Sequence, residues 1–219
     1  FMVPYESESD GYTRLSDLPG GKTKAVWGFY GENSFPFNIV MLFMSMEDMM
    51  APDFDRGLTL LKNISEEQAE KVSKYKVEKA EWPGKKFATM RETVAMKDLA
   101  GYFGTSYQQI GIKAQESKAR MTGMPCALYY SWDEQTAQTD VAAAMPVNRT
   151  VIGEQIEMVE IEKQTAYIVD YYGPYDGLAS AHMALGLYMA KNKIEPAFPC
   201  LEEYATDPGA EPDPGKWWT

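Results

Sequence analysis

The sequence predicts an α+β fold in which a strand-strand-helix-strand unit occurs twice about a pseudo-twofold axis, preceded by an N-terminal strand and a long helix. Three observations predict it. A short string recurs, Met124-Pro-Cys-Ala-Leu-Tyr-Tyr130 and Phe198-Pro-Cys-Leu-Glu-Glu-Tyr204. Before each copy stand runs of alternating polar and apolar residues, then a segment whose apolar residues keep helical spacing. Such a unit buries one sheet face under one helix, leaving an edge and a flank for its twin to cover and a cleft along the seam.

Residues 22–32 alternate and read as a strand. Pro36 fits the first turn of a helix whose apolar run, from Phe37 to Met50, is interrupted by Ala51-Pro52 before Phe54, Leu58 and Leu61 carry on the stripe. Ser65-Glu-Glu-Gln68 fits a capping box and predicts a separate short helix before Lys74. One strand and one long helix cannot bury their own apolar faces, so residues 1–66 are expected to lean on another segment. Residues 67–73 read as a linker and 74–219 as a second domain.

In that second domain Lys74 to Ala80 and Glu157 to Lys163 open the two halves, Phe87 to Met90 matches Ala166 to Val169, and Leu99-Ala100 matches Leu178-Ala179. Leu99, Tyr102, Phe103 and Ile110 mark one helical face; Leu178, His182, Leu185, Tyr188 and Met189 mark its counterpart. Gly111 and Gly123 punctuate the first exit, and Lys191-Asn192 the second.

Of 219 residues, 45% are hydrophobic and 13% aromatic, enough for real cores in a soluble globular protein. Asp and Glu, 32 together, outnumber the 21 Lys and Arg; the net charge of -11, with no basic patch, argues against direct nucleic-acid contact by this chain. The longest apolar run, Ile39 to Met46, falls short of the roughly 18 residues of a membrane span, and no secretory signal is visible. The expected place is the cytoplasm, off the membrane. Both ends, at Phe1 and after Trp217-Trp218, look cut. Cys126 and Cys200 have no second pair or histidine cluster beside them and read as small core residues in a reducing compartment. No metal and no cofactor is expected.

Several motifs have plain structural readings. Gly20-Gly21-Lys22-Thr23 is like the end of a phosphate-binding loop, but Ser16 stands where that loop needs glycine and a strand follows, so it is set aside. His182 lies on an apolar helix face with no obvious partner and reads as a core or interface histidine. Half of the 14 methionines fall between Met41 and Met96 and read as core packing. Acidic runs such as Glu66-Glu67 and Asp133-Glu134 read as solvated faces and caps.

Two features point to a ligand. In Tyr171-Tyr-Gly-Pro-Tyr-Asp-Gly-Leu178 the Gly173-Pro174 pair turns the chain from strand to helix, Asp176 favours the helix start, and Tyr171, Tyr172 and Tyr175 cluster aromatic surface beside the turn. Tyr130, Trp132 and Tyr204 close the two third strands and extend that lining. The other feature is Glu202, which stands where the first copy of the repeated string has Leu128. With period two, an inward Leu128 implies an inward Glu202, a buried carboxylate that needs a partner. A cationic ligand held between aromatic faces and this carboxylate would supply one. The alternatives are that Glu203 faces inward, or that Glu202 pairs with a surface lysine.

Gly-Met-Pro-Cys-Ala-Leu-Tyr-Tyr at 123–130, the segment from Asp140 to Val147 with its closing Met-Pro-Val, Tyr172-Gly-Pro-Tyr-Asp-Gly-Leu178, and the run from Glu202 through Pro208 to Lys216-Trp217 resemble the GyrI-like small-molecule-binding domain. That domain also forms the effector-binding half of bacterial multidrug-sensing transcription activators. The resemblance implies a duplicated strand-helix-strand-strand fold with a ligand cleft at its pseudo-twofold seam and places the family's acidic residue at Glu202. It implies one further strand after Trp218-Thr219. Residues 24–62 are similar to the last strand and helix of an SRPBCC (START-like) domain.

The expected function is therefore capture of a cationic, aromatic or amphipathic small molecule by Glu202, Tyr204, Tyr130, Trp132, Tyr172 and Tyr175. Some GyrI-like proteins hydrolyse electrophilic cyclopropane-type compounds, and in that alternative Glu202 and Tyr172 carry the catalysis. A third class is an interaction protein that forms a homodimer through the apolar helix of residues 37–61.

Overall fold

The structure, a computed structural model, describes residues 9–31 and 45–219. The chain divides into two units, Phe1–Glu70 and Lys71–Thr219. The expected apolar run over 37–44 and Pro36 lie outside the described residues.

The first unit contains a hairpin of β1 (Ser9–Leu18) and β2 (Lys22–Gly31) and most of a long helix, α1 (Met46–Ser73). The sequence reading found β2 but missed β1, whose residues show no clean alternation. The signal was Pro19-Gly20-Gly21, the turn between Leu18 and its partner Lys22. Gly20 and Gly21 take φ of +81° and +71°, where glycine is favoured. On β2, Trp27 and Phe29 share a face and meet Phe54 of α1 at ring centroids of 4.7 and 5.7 Å. Gly57 makes room for this contact: a β-carbon there would stand 2.4 Å from the Trp27 ring.

Two expectations about α1 are corrected. The helix runs through Pro52, which lies close enough to its start to remove one backbone hydrogen bond without ending it. Ser65 lies mid-helix rather than at a cap, so residues 67–73, read as a linker, are the last turns of α1. The N-terminal cap is Ser45, whose Oγ accepts from Asp48 N at 3.2 Å.

The second unit contains β3 (Val77–Trp82), β4 (Lys85–Ala95), α2 (Leu99–Glu116), β5 (Cys126–Asp133), β6 (Gln138–Pro146), β7 (Glu157–Ile161), β8 (Gln164–Val169), α3 (Leu178–Lys191) and β9 (Cys200–Glu203). The described strands of this unit form a five-stranded antiparallel sheet ordered β7-β4-β6-β5-β9 and a two-stranded sheet of β3 and β8. β3 thus pairs with β8, and β7 with β4.

The buried central strand β6 separates two layers of side chains. Phe87, Cys126, Leu128, Ala142 and Ala144 form the core on one face, with Leu201, Val159 and Ile161 against it. Ala88, Ala143, Ile110 and Ala114, joined by Val94, Ala127 and Val141, form the core under α2 on the other. Tyr102 anchors α2 there, its hydroxyl donating to Met90 O at 2.5 Å and accepting from Ala143 N at 3.0 Å. Gly111 lies inside α2 rather than at its exit. Both helices are left through a lysine in the left-handed region, Lys118 and Lys193, each with φ of +54°.

Those two lysines are 75 residues apart, whereas the cysteines of the repeated string are 74 apart. Strand pairing agrees with the lysines: Ala127 pairs with Glu202 and Leu128 with Leu201. Directly opposed residues share a face, so Leu128 and Glu202 point to opposite faces of the sheet. The expectation that they point the same way is wrong by one residue. No helix among the described residues is long and apolar enough to cross a membrane.

Candidate functional site

Glu202 points from the short edge strand β9 to the α2 side of the sheet and is 8% exposed. Residues 200, 202 and 204 share that face by the period of the strand. Ala127 and Tyr129 of β5 stand opposite Glu202 and Cys200. Glu203 faces the other way and binds Lys85 Nζ at 2.8 Å, so Glu202, not Glu203, is the buried carboxylate.

Both oxygens of Glu202 are satisfied. The Tyr204 hydroxyl donates to Oε2 at 2.6 Å, and His182 Nε2 on α3 lies 2.5 Å from Oε1. Short contacts of this kind to a carboxylate offset much of its desolvation. His182 therefore has a partner, contrary to the sequence reading. Its pKa is raised from 6.5 to about 10 by hydrogen bonding to Cys200 and Glu202, against the opposing pull of burial. The imidazole is a cation at neutral pH, and Glu202 carries an internal ion pair. Its side chain is 41% exposed, so solvent reaches the pair from the helix side.

Aromatic rings extend outward from the carboxylate on both sides. Tyr204 meets Tyr175 edge-on at 5.5 Å and Phe103 at 6.1 Å; Tyr175 meets Trp217 at 4.9 Å. Across the ladder, Tyr129 lies 6.4 Å from the His182 ring and 5.7 Å from Trp132. Burial, followed by the negative charge of Glu202, pushes the Tyr204 and Tyr129 hydroxyls well above their ordinary range, so both remain neutral donors. The turn that presents Tyr175 is held by Tyr171, whose hydroxyl donates to Pro174 O at 2.6 Å. Gly173 there has φ of +145°, and a β-carbon would stand 2.7 Å from the Tyr171 oxygen.

The structure brings together four of the six residues named from sequence: Glu202, Tyr204, Tyr175 and, through Tyr129, Trp132. Tyr130 points to the opposite face, where the Arg91 guanidinium lies 3.6 Å from its ring centroid. A register shift between Tyr129 and Ser131 explains the split, because it restores Trp132 to the face of Tyr129. Tyr172 is 64% exposed and stacks on Trp218, away from Glu202. Sequence reasoning missed Tyr129, Phe103, Trp217 and Cys200, and saw His182 without its partner. For Tyr129 the signal was the one-residue shift in the repeat.

Two open clefts lie elsewhere, one of about 490 Å³ at Pro83–Lys86 and Glu160–Lys163, the other of about 480 Å³ between Tyr130, Val159 and Phe198. Neither is lined by Glu202. Among the described residues no group of three or more metal-ligating side chains converges.

The Tyr172–Trp218 bridge, with reciprocal Tyr171 N to Thr219 O and Thr219 N to Tyr171 O bonds of 2.9 and 3.0 Å, pairs the last residues with the segment after β8. No curated protein matches the chain in sequence. Among solved structures, the chain is similar to EcmrR in a complex with DNA, with 19% identity and a TM-score of 0.60 over 84% of this chain and 75% of that one. It is also similar to the EcmrR C-terminal domain, with 23% identity and a TM-score of 0.59 over 66% of this chain and 93% of that one. Both likenesses are of fold. The model of the GyrI-like small molecule binding domain matches residues 75–218, which is most of the chain and contains every residue around Glu202, and the chain therefore belongs to the GyrI-like family.

Proposed function

We propose that the Glu202 site takes a small cationic, aromatic or amphipathic molecule, which enters among Trp132, Tyr129, Tyr204 and Tyr175 and replaces His182 as the positive partner of Glu202. The observation that carries this reading is the buried carboxylate between aromatic rings, paired to a cation that is itself half open to solvent. Apolar burial supplies most of the affinity, at roughly 25 cal/mol per Å². Glu202 and the ring faces select positive charge.

The test is thermal shift with methyltriphenylphosphonium and the neutral, similarly sized triphenylphosphine oxide. The cation stabilises the wild-type protein more than the oxide does, and Glu202→Gln removes the difference. Equal shifts from the cation in both proteins would contradict the reading.

In the same proposal the chain is the effector-binding part of a bacterial, cytoplasmic regulator that meets nucleic acid through other segments. The likeness to EcmrR, which is bound to DNA in one of its structures, supports this. The reciprocal pairing of β3 with β8 and β7 with β4, and the left-handed lysine two residues past the end of each helix, support the pseudo-twofold duplication. We assign residues 1–66 to the end of an SRPBCC domain, a reading supported by the order of β2 and α1. A homodimer through α1 is supported by the exposure of Leu60, Leu61 and Ile64, and light scattering of the purified chain tests it.

The Tyr204–Glu202 hydrogen bond favours a second reading, hydrolysis of an electrophilic cyclopropane compound. Glu202 would activate water and Tyr204, in place of Tyr172, would donate the proton. Turnover lost in Glu202→Gln with binding retained separates this reading from simple capture.

A further inference from the structure

Cys200 is not a core residue. It lies on the same face as Glu202 and opposite Tyr129, is partly exposed, and places Sγ 3.9 Å from Nδ1 of His182. The far nitrogen of the same ring, Nε2, contacts Glu202 Oε1. Thiol, imidazole and carboxylate thus stand in series, with the ring oriented by Glu202 so that one nitrogen addresses the sulfur. A nucleophile within reach of a base that a third group orients is the arrangement of covalent catalysis, and such contacts are commonly looser before a substrate is bound. Cys126, the other cysteine, is the opposite case: fully buried, its thiol donates to Met124 O at 3.3 Å, and burial pushes its pKa up to about 12.

We propose that Cys200 is a nucleophilic thiol and that this site captures aromatic α,β-unsaturated carbonyl compounds as covalent thioether adducts. His182 holds Nδ1 3.9 Å from the sulfur, placed to steady the negative charge that the sulfur carries as it attacks. The thiolate sulfur attacks the β-carbon, forming the C–S bond while the C=C pair moves toward the carbonyl as an enolate. His182 Nδ1 then delivers its proton to the α-carbon and recovers one from solvent, where the thiol proton had gone. The sum is addition of S–H across C=C, with no leaving group and no oxidant. Tyr129, Trp132 and Tyr175 offer ring faces to a flat unsaturated compound. His182 and Glu202 bind and orient in the cation reading; here they also set the reactivity of the sulfur.

The experiment measures alkylation by N-ethylmaleimide at pH 7, with peptide mapping to separate Cys200 from Cys126. Cys200 is expected to react about tenfold faster than glutathione, the gain from a nucleophile held beside an oriented imidazole. His182→Gln lowers that rate about tenfold and Cys200→Ser abolishes the adduct, while Cys126 stays unmodified in every variant and thereby reports an intact fold. A Cys200 rate no greater than that of glutathione, or a rate unchanged in His182→Gln with Cys126 still protected, overturns the proposal. The rate is read with no cation present, so it stands or falls apart from the cation reading. That reading is tested separately, by whether methyltriphenylphosphonium slows the alkylation.

Discussion

Glu202 stands directly opposite Ala127 across the β5–β9 ladder. The small side chain of Ala127 leaves room for the carboxylate to lie inward among Tyr204, Tyr129 and His182, whereas Leu128 packs on the far face with Phe87 and Ala142.

The two neighbours on β5 should therefore behave oppositely. Leu128→Ala opens a cavity in the far core and costs about 2–5 kcal/mol in urea unfolding, with methyltriphenylphosphonium binding unchanged. Ala127→Leu crowds the carboxylate and weakens that binding at least tenfold by calorimetry. Loss of binding in both variants to the same degree would contradict the assignment of faces.

His182 makes stability depend on pH. Its folded pKa, about 10, exceeds the ordinary 6.5, so the stabilisation is fully present below pH 6.5 and is lost as pH rises through 10. Urea midpoints measured between pH 7 and 10 should fall in the wild type and flatten in His182→Gln. Above pH 10 both proteins lose stability further, because Tyr129 and Tyr204 stay neutral when folded and ionise when unfolded.

Tyr204→Phe removes the donor to Glu202 Oε2 and leaves that oxygen with a buried unmet demand. The expected cost is about 1–3 kcal/mol by urea denaturation. A cost near zero would mean that water replaces the hydroxyl and that the carboxylate is less enclosed than its burial indicates.

The aromatic lining is separable by face. Tyr129→Ala should weaken methyltriphenylphosphonium binding about 2- to 30-fold, the span of a cation–π contact of roughly 0.5–2 kcal/mol. Tyr130→Ala and Tyr172→Ala should leave it within twofold, since Tyr130 serves Arg91 and Tyr172 serves Trp218.

Much of this fold was legible in the sequence because alternation and turn chemistry are local. The strands of the second unit other than β6, its two helices and the turn before Tyr175 follow from spacing and from Gly and Pro; the central strand β6, with its Ala-rich run, does not alternate and was missed. What was not legible depended on register. A bulge at Tyr130 and a one-residue offset in the repeat each reverse a side chain's face without changing any local propensity. Glu202 was read as buried from its likeness to Leu128; it is buried, but on the other face and opposite Ala127. The His182–Glu202 pair joins a helix to a strand 20 residues on, and no periodicity within either element could reveal it. In the first unit, Pro52 and Ser65 gave clear local signals of a break and a start, and the continuity of a long helix overrode both.

The displacement of His182 by an incoming cation is tested most directly by calorimetric titration of methyltriphenylphosphonium into the wild type, Glu202→Gln and His182→Gln at pH 7. Removing the internal cation should tighten binding in His182→Gln, and removing the carboxylate should weaken it at least tenfold in Glu202→Gln. Equal affinity for the cation in all three proteins would contradict it.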